Sequence, residues 1–172
     1  DRPAVAQAVA DLPLRLVLRG GGARVELAGV EPGDRLRRPE VGSLSSRIAV
    51  HPEVRRRLVA LQQEFVGRHG GVMEGRDIGT VVVPATPFKF YLDADPAVRA
   101  ERRHAELAGK GATTDPAEVA RQLAERDERD SSRTASPLQA AADAFHINTG
   151  GLLPEEVVDV MVAEIRQRSD RT

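Results

Sequence analysis

Two short strands joined by glycines are predicted near the start of the chain. Residues 14–18 alternate apolar and polar side chains, as a strand with one buried face does, and residues 23–28 repeat the alternation. Gly20–Gly22 lie between them and favour a tight turn, so the pattern predicts a β-hairpin. A short helix over residues 3–12 is predicted to precede it.

Proline marks the start of two predicted helices after the hairpin. They run from Pro39 to about Val50 and from Pro52 to about Arg68, and proline suits a first helical turn because its missing N–H needs no partner there. Residues 1–69 are therefore predicted to form a small α+β region.

Beyond Gly70–Gly71 the apolar pattern alternates between strand-like and helix-like segments. A short apolar start at Val72–Met73 is followed by further segments: strands over 88–92 and 145–148, and helices over 96–108, 117–130 and 154–168. Such alternation favours a parallel sheet covered by helices, so residues 70–172 are predicted to form an α/β domain.

Composition excludes several classes of function. The 172 residues are 41% hydrophobic and 30% charged, as in a globular domain, with no cysteine and only 3% aromatic residues. A disulfide scaffold, a thiolate zinc site and a cysteine nucleophile are excluded, and base-stacking platforms for single-stranded nucleic acid are not expected. The formal net charge of −1 gives no bulk attraction to nucleic acid or to an anionic membrane. No apolar run approaches the roughly 20 residues of a membrane span, and no signal-peptide pattern opens the chain, so we expect a cytoplasmic protein.

The basic residues are almost all arginine. Only Lys89 and Lys110 among the 25 basic residues are lysine. Codon bias explains such a preference, and so does a site that holds phosphate with guanidinium groups; the two explanations are compatible.

A first candidate site lies in the segment Glu74–Thr80, after the apolar start at Val72. Gly75 and Gly79 flank Arg76 and Asp77, where a strand of an open α/β sheet is expected to end and where ligands bind. Arg76 can hold an anion and Asp77 can accept from an amino group. The alternative is a turn with a surface ion pair.

A second candidate site lies on the charged helix over 117–130 and just beyond it. Arg126, Asp130 and Arg133 follow one another at i, i+4 and i+7 and so share a helical face. A solvated face laced by ion pairs is the alternative. The glycine-containing segment 109–115 before the helix favours a mobile lid, over about 104–132, that closes on an anionic ligand.

Weaker candidates remain. Ser46 and Arg55 stand nine residues apart, and each alone suggests a helix cap or a surface position. Arg99, Arg102 and Arg103 lie on one predicted helix, for which a surface role is the default. The four histidines show no metal-ligand spacing, and no nucleophile is indicated.

Taken together, these segments resemble those of bacterial cytidylate kinases, in order and spacing, from about residue 35 to the end. The matching segments are Arg38–Val41, Leu44–Ser46, Pro52–Arg55, Gly75–Pro84, Phe90–Ala94, Glu125–Arg133 and Ala141–Ala144. Residues 1–34 fit only loosely, as part of the family's small nucleotide-binding insert.

The resemblance implies a P-loop nucleoside-monophosphate kinase fold of the α/β class: a parallel sheet flanked by helices, with a small antiparallel insert that binds the acceptor nucleotide. Residues 1–172 contain no Gly-x-x-x-x-Gly-Lys-Ser/Thr motif; the only Gly-Lys is Gly109–Lys110, outside such a pattern. We therefore expect the N-terminal strand and P-loop of the family to be absent from this chain, and the chain alone to be inactive.

The implied reaction is transfer of the γ-phosphoryl group of ATP to CMP or dCMP, giving CDP or dCDP in pyrimidine nucleotide metabolism. Mg²⁺ would enter as Mg-ATP, and the family usually acts as a monomer. The implied residues fall into three groups: Arg76, Arg126 and Arg133 as catalytic; Ser46, Arg55, Asp77 and Asp130, with those arginines, as substrate-binding; and Arg102, Lys110 and Thr149 on the ATP side. The alternatives are a monophosphate kinase for another acceptor, such as UMP or AMP, and a nucleotide-binding or interaction module without a P-loop.

Overall fold

The computed structural model describes residues 2–132 and 137–170, and in these residues helices and strands follow the predicted order. The helices are α1 (Arg2–Ala10), α2 (Pro39–Ile48), α3 (Pro52–His69), α4 (Pro96–Gly109), α5 (Pro116–Ser132) and α6 (Pro154–Ser169), and the strands are β1 (Leu14–Arg19), β2 (Gly22–Leu27), β3 (Phe90–Asp93) and β4 (Phe145–Asn148). Their ends differ from the predicted ones by at most two residues. A 3₁₀ turn over Gly33–Arg37 and a π-helical turn over Ile78–Val82 complete the set.

The chain divides into two compact units, one of Asp1–Val83 with Arg129–Gln139 and one of Pro84–Glu128 with Ala140–Thr172. The predicted region 1–69 lies in the first unit, which also takes in residues 70–83. No helix in the described parts of the chain is long and apolar enough to cross a membrane.

The first unit is built around the predicted hairpin. β1 pairs antiparallel with β2, from Leu14 opposite Leu27 to Arg19 opposite Gly22. Helix α3 packs against α1, β1 and the π-helical turn, and it buries Val54 and Leu61. Helix α3 and the π-helical turn are therefore held together.

The second unit contains the predicted parallel strands. β3 pairs with β4 in parallel register, and Phe90 faces Phe145 edge-on with ring centroids 6.2 Å apart. Parallel strands need a crossover, and helices α4 and α5 lie between the two in sequence. The predicted α/β class is confirmed at this coarse level.

The start of β3 carries a buried lysine. Lys89 Nζ donates to both carboxylate oxygens of Asp143, at 2.9 and 2.6 Å, and to the Pro84 carbonyl oxygen at 2.6 Å. The Lys89 side chain is 7% exposed whereas that of Asp143 is 63% exposed. The hydrogen bond from Lys89 lowers the pKa of Asp143 below its ordinary value.

The prediction that a strand begins at Val72–Met73 is wrong. Residues 70–74 form neither helix nor strand, and Val72 is 96% exposed. A strand is stable only when a neighbour pairs with it, and within the described residues β3 and β4 pair with each other alone in their sheet. The apolar run Val81–Val83 belongs instead to the π-helical turn and its end.

Candidate functional site

A buried ion pair joins two of the predicted site residues. Arg55 lies on the first turn of α3 and Asp77 directly precedes the π-helical turn. Arg55 Nη2 donates to Asp77 Oδ2, and the two side chains are only 11% and 12% exposed. The alternative of a surface ion pair therefore does not apply to Asp77.

The backbone around Asp77 is fixed by local hydrogen bonds. The Asp77 carbonyl oxygen accepts from the N–H groups of Val81, at 2.9 Å, and Val82, at 3.3 Å. Gln63 on α3 donates to the Val82 carbonyl oxygen at 3.1 Å, which ties the turn to the helix that carries Arg55. The two elements that carry Arg55 and Asp77 are thus bonded to each other.

Arg55 keeps a further donor that nothing in the described part of the chain uses. Its Nε is buried and has no hydrogen-bond partner among the described residues. An unsatisfied buried donor costs about 1–3 kcal/mol, which an acceptor on a ligand would recover. A guanidinium with a spare donor beside a fixed carboxylate can bind a planar group that both accepts and donates.

The two candidate motifs meet in a second ion pair. Arg76 Nε lies 3.4 Å from Asp130 Oδ2, and the Asp130 side chain is 4% exposed while that of Arg76 is 33% exposed. The Asp130 carbonyl oxygen also accepts from the Leu138 N–H at 2.7 Å. Both residues belong to the first unit, so the Arg-Asp segment and the end of the charged helix meet there.

For three other predicted site residues, no contact with another predicted site residue is assigned. Arg126 lies half-buried on α5. Ser46 lies in α2, with its side chain outside what the structure describes. Arg133 lies outside the described residues.

In the second unit, Arg102 and Thr149 are brought together at the end of the parallel strands. Arg102 Nη2 donates to the Thr149 carbonyl oxygen at 2.6 Å, and Nη1 to Thr149 Oγ1 at 3.0 Å. The Thr149 N–H and hydroxyl both donate to the Asp93 carbonyl oxygen, at 2.7 and 3.0 Å. Lys110, by contrast, directly follows the last residue of α4 and pairs with Glu106 of that helix.

Arg99 makes a connection that the sequence did not predict. Its Nη1 donates to Asp127 Oδ2 on α5, and its Nε donates to the Ala94 carbonyl oxygen at 3.1 Å. The hydrogen bond to Asp127 raises the pKa of Arg99. The partners are 28 residues apart, and no local spacing rule pairs residues at that distance, so only the tertiary structure identifies them.

Within the described ranges no three histidine or acidic side chains are grouped so that they could hold a metal ion.

Comparison with known proteins finds the same family for the family model and for the individual relatives. A model of the family described as cytidylate kinase matches residues 2–167. The chain is 43% identical to the cytidylate kinase of Fervidobacterium nodosum over 142 residues, 83% of this chain and 65% of that protein. It is 42% identical to the cytidylate kinase of Corynebacterium efficiens over all of this chain and 75% of that protein, and 47% identical to that of Streptococcus pneumoniae over 77% of this chain and 60% of that protein. The chain thus spans 60–75% of the length of these relatives.

Proposed function

The chain belongs to the cytidylate kinase family, and from that premise we propose that it acts in the transfer of the γ-phosphoryl group of ATP to CMP or dCMP, giving CDP or dCDP. The observation that carries the proposal is the buried Arg55–Asp77 pair, which suits a cytosine edge. The proposed fold is the α/β fold of the P-loop nucleoside-monophosphate kinases.

Cytosine offers an amino donor at N4 beside acceptors at N3 and O2. Asp77 would accept from N4, and Arg55 would donate to N3 or O2 through the nitrogen that has no partner among the described residues. Uracil presents an oxygen at position 4 and a donor at N3, so both contacts become repulsive or unpaired. One such contact discriminates by about 1–3 kcal/mol. Ser46 joins this set by resemblance.

The arginines neutralise phosphate. Arg76, Arg126 and Arg133 would hold the transferring and acceptor phosphates, and Asp130 would bind the ribose while orienting Arg76, to which it is already paired. The acceptor is itself a phosphate anion at neutral pH, so no general base is needed. Catalysis then consists of positioning and charge neutralisation.

The ATP side involves the second unit. Arg102 and Thr149, hydrogen-bonded to each other, would shape the loop beside the adenine, and Lys110 would reach phosphate only by leaving Glu106. Mg²⁺ would arrive as part of the substrate Mg-ATP, and we assign it no ligand among the described residues. Residues 104–132 would form the lid, and a cytoplasmic monomer is the proposed state of the protein. Because residues 1–172 lack the P-loop motif, we propose that a polypeptide of these residues alone is inactive.

A steady-state assay of the natural full-length protein tests the proposal. Mg-ATP is supplied with CMP, dCMP, UMP or AMP, and the diphosphate products are separated by chromatography. CMP or dCMP should give kcat/KM at least about tenfold above UMP and AMP, in line with one or more base-specific contacts. Preference for AMP or UMP would instead establish the alternative of a kinase with another base specificity. Nucleotide binding without turnover would establish an interaction module.

A further inference from the structure

Helix α4 carries two arginines that are both connected to the end of strand β3. Arg102 reaches Thr149, whose backbone N–H and hydroxyl both bond to Asp93, the last residue of β3. Arg99, three residues earlier on the helix, bonds to Ala94, the next residue along the chain. The proposed function uses Arg102 and leaves Arg99 without a role.

The Arg99 guanidinium is fixed at two points. Its Nε donates to the Ala94 carbonyl oxygen, and Ala94 is buried with its own N–H bonded to Asp93 Oδ1 at 2.8 Å. Its Nη1 donates to Asp127, whose side chain is 20% exposed, on α5. The rigid guanidinium therefore bridges the end of a sheet strand and the middle of α5.

Asp127 is the immediate neighbour of Arg126 on α5. A helix turns 100° per residue, so fixing the direction of one side chain fixes the direction in which its neighbour leaves the helix. We propose that Arg99 is a positioning residue that, through Asp127, sets the rotation of α5 and thereby aims Arg126 at the phosphate. The aim at phosphate rests on the proposed function, whereas the anchoring of α5 does not.

Stability alone is a poor explanation of this pair. The pair is only partly buried, since the Arg99 side chain is 34% exposed and that of Asp127 is 20% exposed, and solvent screening leaves such ion pairs with little net contribution to stability. Two donors at a fixed angle give direction rather than stability. Lysine, with one ammonium group, cannot reach both acceptors in the same way.

A double-mutant cycle in the natural full-length protein tests the proposal. Arg99→Gln should lower kcat for CMP about tenfold while KM for CMP changes less than about twofold, because a small misplacement of a group that acts on the reacting phosphate is costly. Arg126→Ala should lower kcat more. In the Arg126→Ala background, Arg99→Gln should cost nothing further, since a residue that acts through another has no effect once that other is gone.

Arg103→Gln is the matched control. Arg103 lies on the same helix and forms an ion pair with Glu106, one turn away, rather than with α5. Its loss should leave kcat and KM unchanged. Asp127→Ala removes the α5 contact from the other side and should lose as much kcat as Arg99→Gln.

Hydrogen exchange of the α5 amides separates this proposal from the proposed function. Arg99→Gln should speed exchange in residues 123–128 severalfold, and Arg103→Gln should not. Unchanged exchange, an unchanged kcat, or an equal further loss in the Arg126→Ala background would each overturn the positioning role. Wild-type protein that does not phosphorylate CMP would refute the proposed function, and the anchoring of α5 would then be decided by the exchange result.

Discussion

At the scale of single residues, Asp77 faces opposite demands from the two pyrimidines. Its carboxylate can accept from the amino group of cytosine, but it faces an oxygen in uracil, where it can only repel. The contact with Arg55 holds it in one direction, with 12% of its side chain exposed. In the proposed function, base discrimination at this position therefore depends on one carboxylate.

Replacement of that carboxylate should change the two substrates differently. Asp77→Ala should lower kcat/KM for CMP by about 5- to 150-fold and leave UMP level or improved, because about 1–3 kcal/mol is lost only with cytosine. The control is Arg76→Ala, which should depress both substrates alike because the proposed function places Arg76 on phosphate, which the two substrates share. Equal losses on CMP and UMP in Asp77→Ala would end the base-recognition role.

The Lys89–Asp143 pair predicts a pH dependence of stability. The folded pKa of Asp143 lies below its ordinary value of 3.8, so the unfolded chain binds the proton more readily. The stabilisation is therefore full above that value and is lost as the pH falls through the folded pKa. The free energy of unfolding of wild type minus that of Asp143→Asn, from urea titrations, should be largest near neutral pH and shrink below pH 3.8. A difference that stays constant with pH would contradict this.

The sequence predicted the candidate site residues more readily than the contacts between them. Arg76 and Asp130 were expected to act on the same ligand, and the structure pairs them. A surface role is the default prediction for Arg99, whereas the structure pairs it with Asp127 on another helix. Pairing between helices depends on how they pack, which local spacing does not determine.

At the scale of elements, the π-helical turn after Asp77 depends on a close approach at Gly75. A Cβ atom placed at Gly75 would lie 2.9 Å from Ile78 Cγ1 and 3.1 Å from Ile78 Cδ1. Gly67, near the end of α3, has open space at the same position. A side chain is therefore obstructed at Gly75 but has room at Gly67.

Alanine at each glycine should give effects of opposite sign. Gly75→Ala should lower the free energy of unfolding by about 1–3 kcal/mol through overpacking. Gly67→Ala should raise it by about 0.5–1 kcal/mol, because alanine is the better helix former. Urea denaturation at constant pH measures both, and a neutral Gly75→Ala would show that the turn can relax around the added methyl group.

The connection between α4 and α5 is the second element with a testable property. It contains Gly111 at φ 78°, and it is tied to the end of α4 by the Gly111 N–H, which donates to the Ala108 carbonyl oxygen at 2.9 Å, and by the Ala112 N–H, which donates to the Leu107 carbonyl oxygen at 3.0 Å. As part of a lid, residues 109–115 should exchange amide hydrogens faster than β3 without nucleotide, and should slow when CMP and a non-hydrolysable ATP analogue are added. Protection equal to that of Phe90–Asp93 without ligand would contradict the lid.

Elements with a strong local pattern were predicted well, and those that depend on a partner were not. The hairpin has its glycines and alternation in one short stretch, and helices α2 to α6 begin at prolines. Val72–Met73 looked like a strand because it is apolar, but strand formation needs a neighbour that no local pattern supplies. The π-helical turn has no signal of its own beyond Gly75 and Gly79.

At the scale of the whole molecule, the proposed reaction requires one protein to bind two nucleotides. Arg55 and Asp77 belong to the first unit, and Arg102 and Thr149 belong to the second. Direct phosphoryl transfer requires that donor and acceptor be bound at the same time. A compound that joins the two nucleotides should then bind far more tightly than either nucleotide alone, because the second contact becomes intramolecular.

The dissociation constant of such a compound is the most direct test of the account. Cytidine and adenosine joined through five phosphates are titrated into the natural full-length protein by calorimetry, alongside CMP, ATP and the uridine counterpart. If the proposed function is correct, its Kd should be at least about a hundredfold below those of CMP and ATP, and at least about fivefold below that of the uridine compound. Equal affinity for the cytidine and uridine compounds, or an affinity no greater than that for ATP alone, would contradict it.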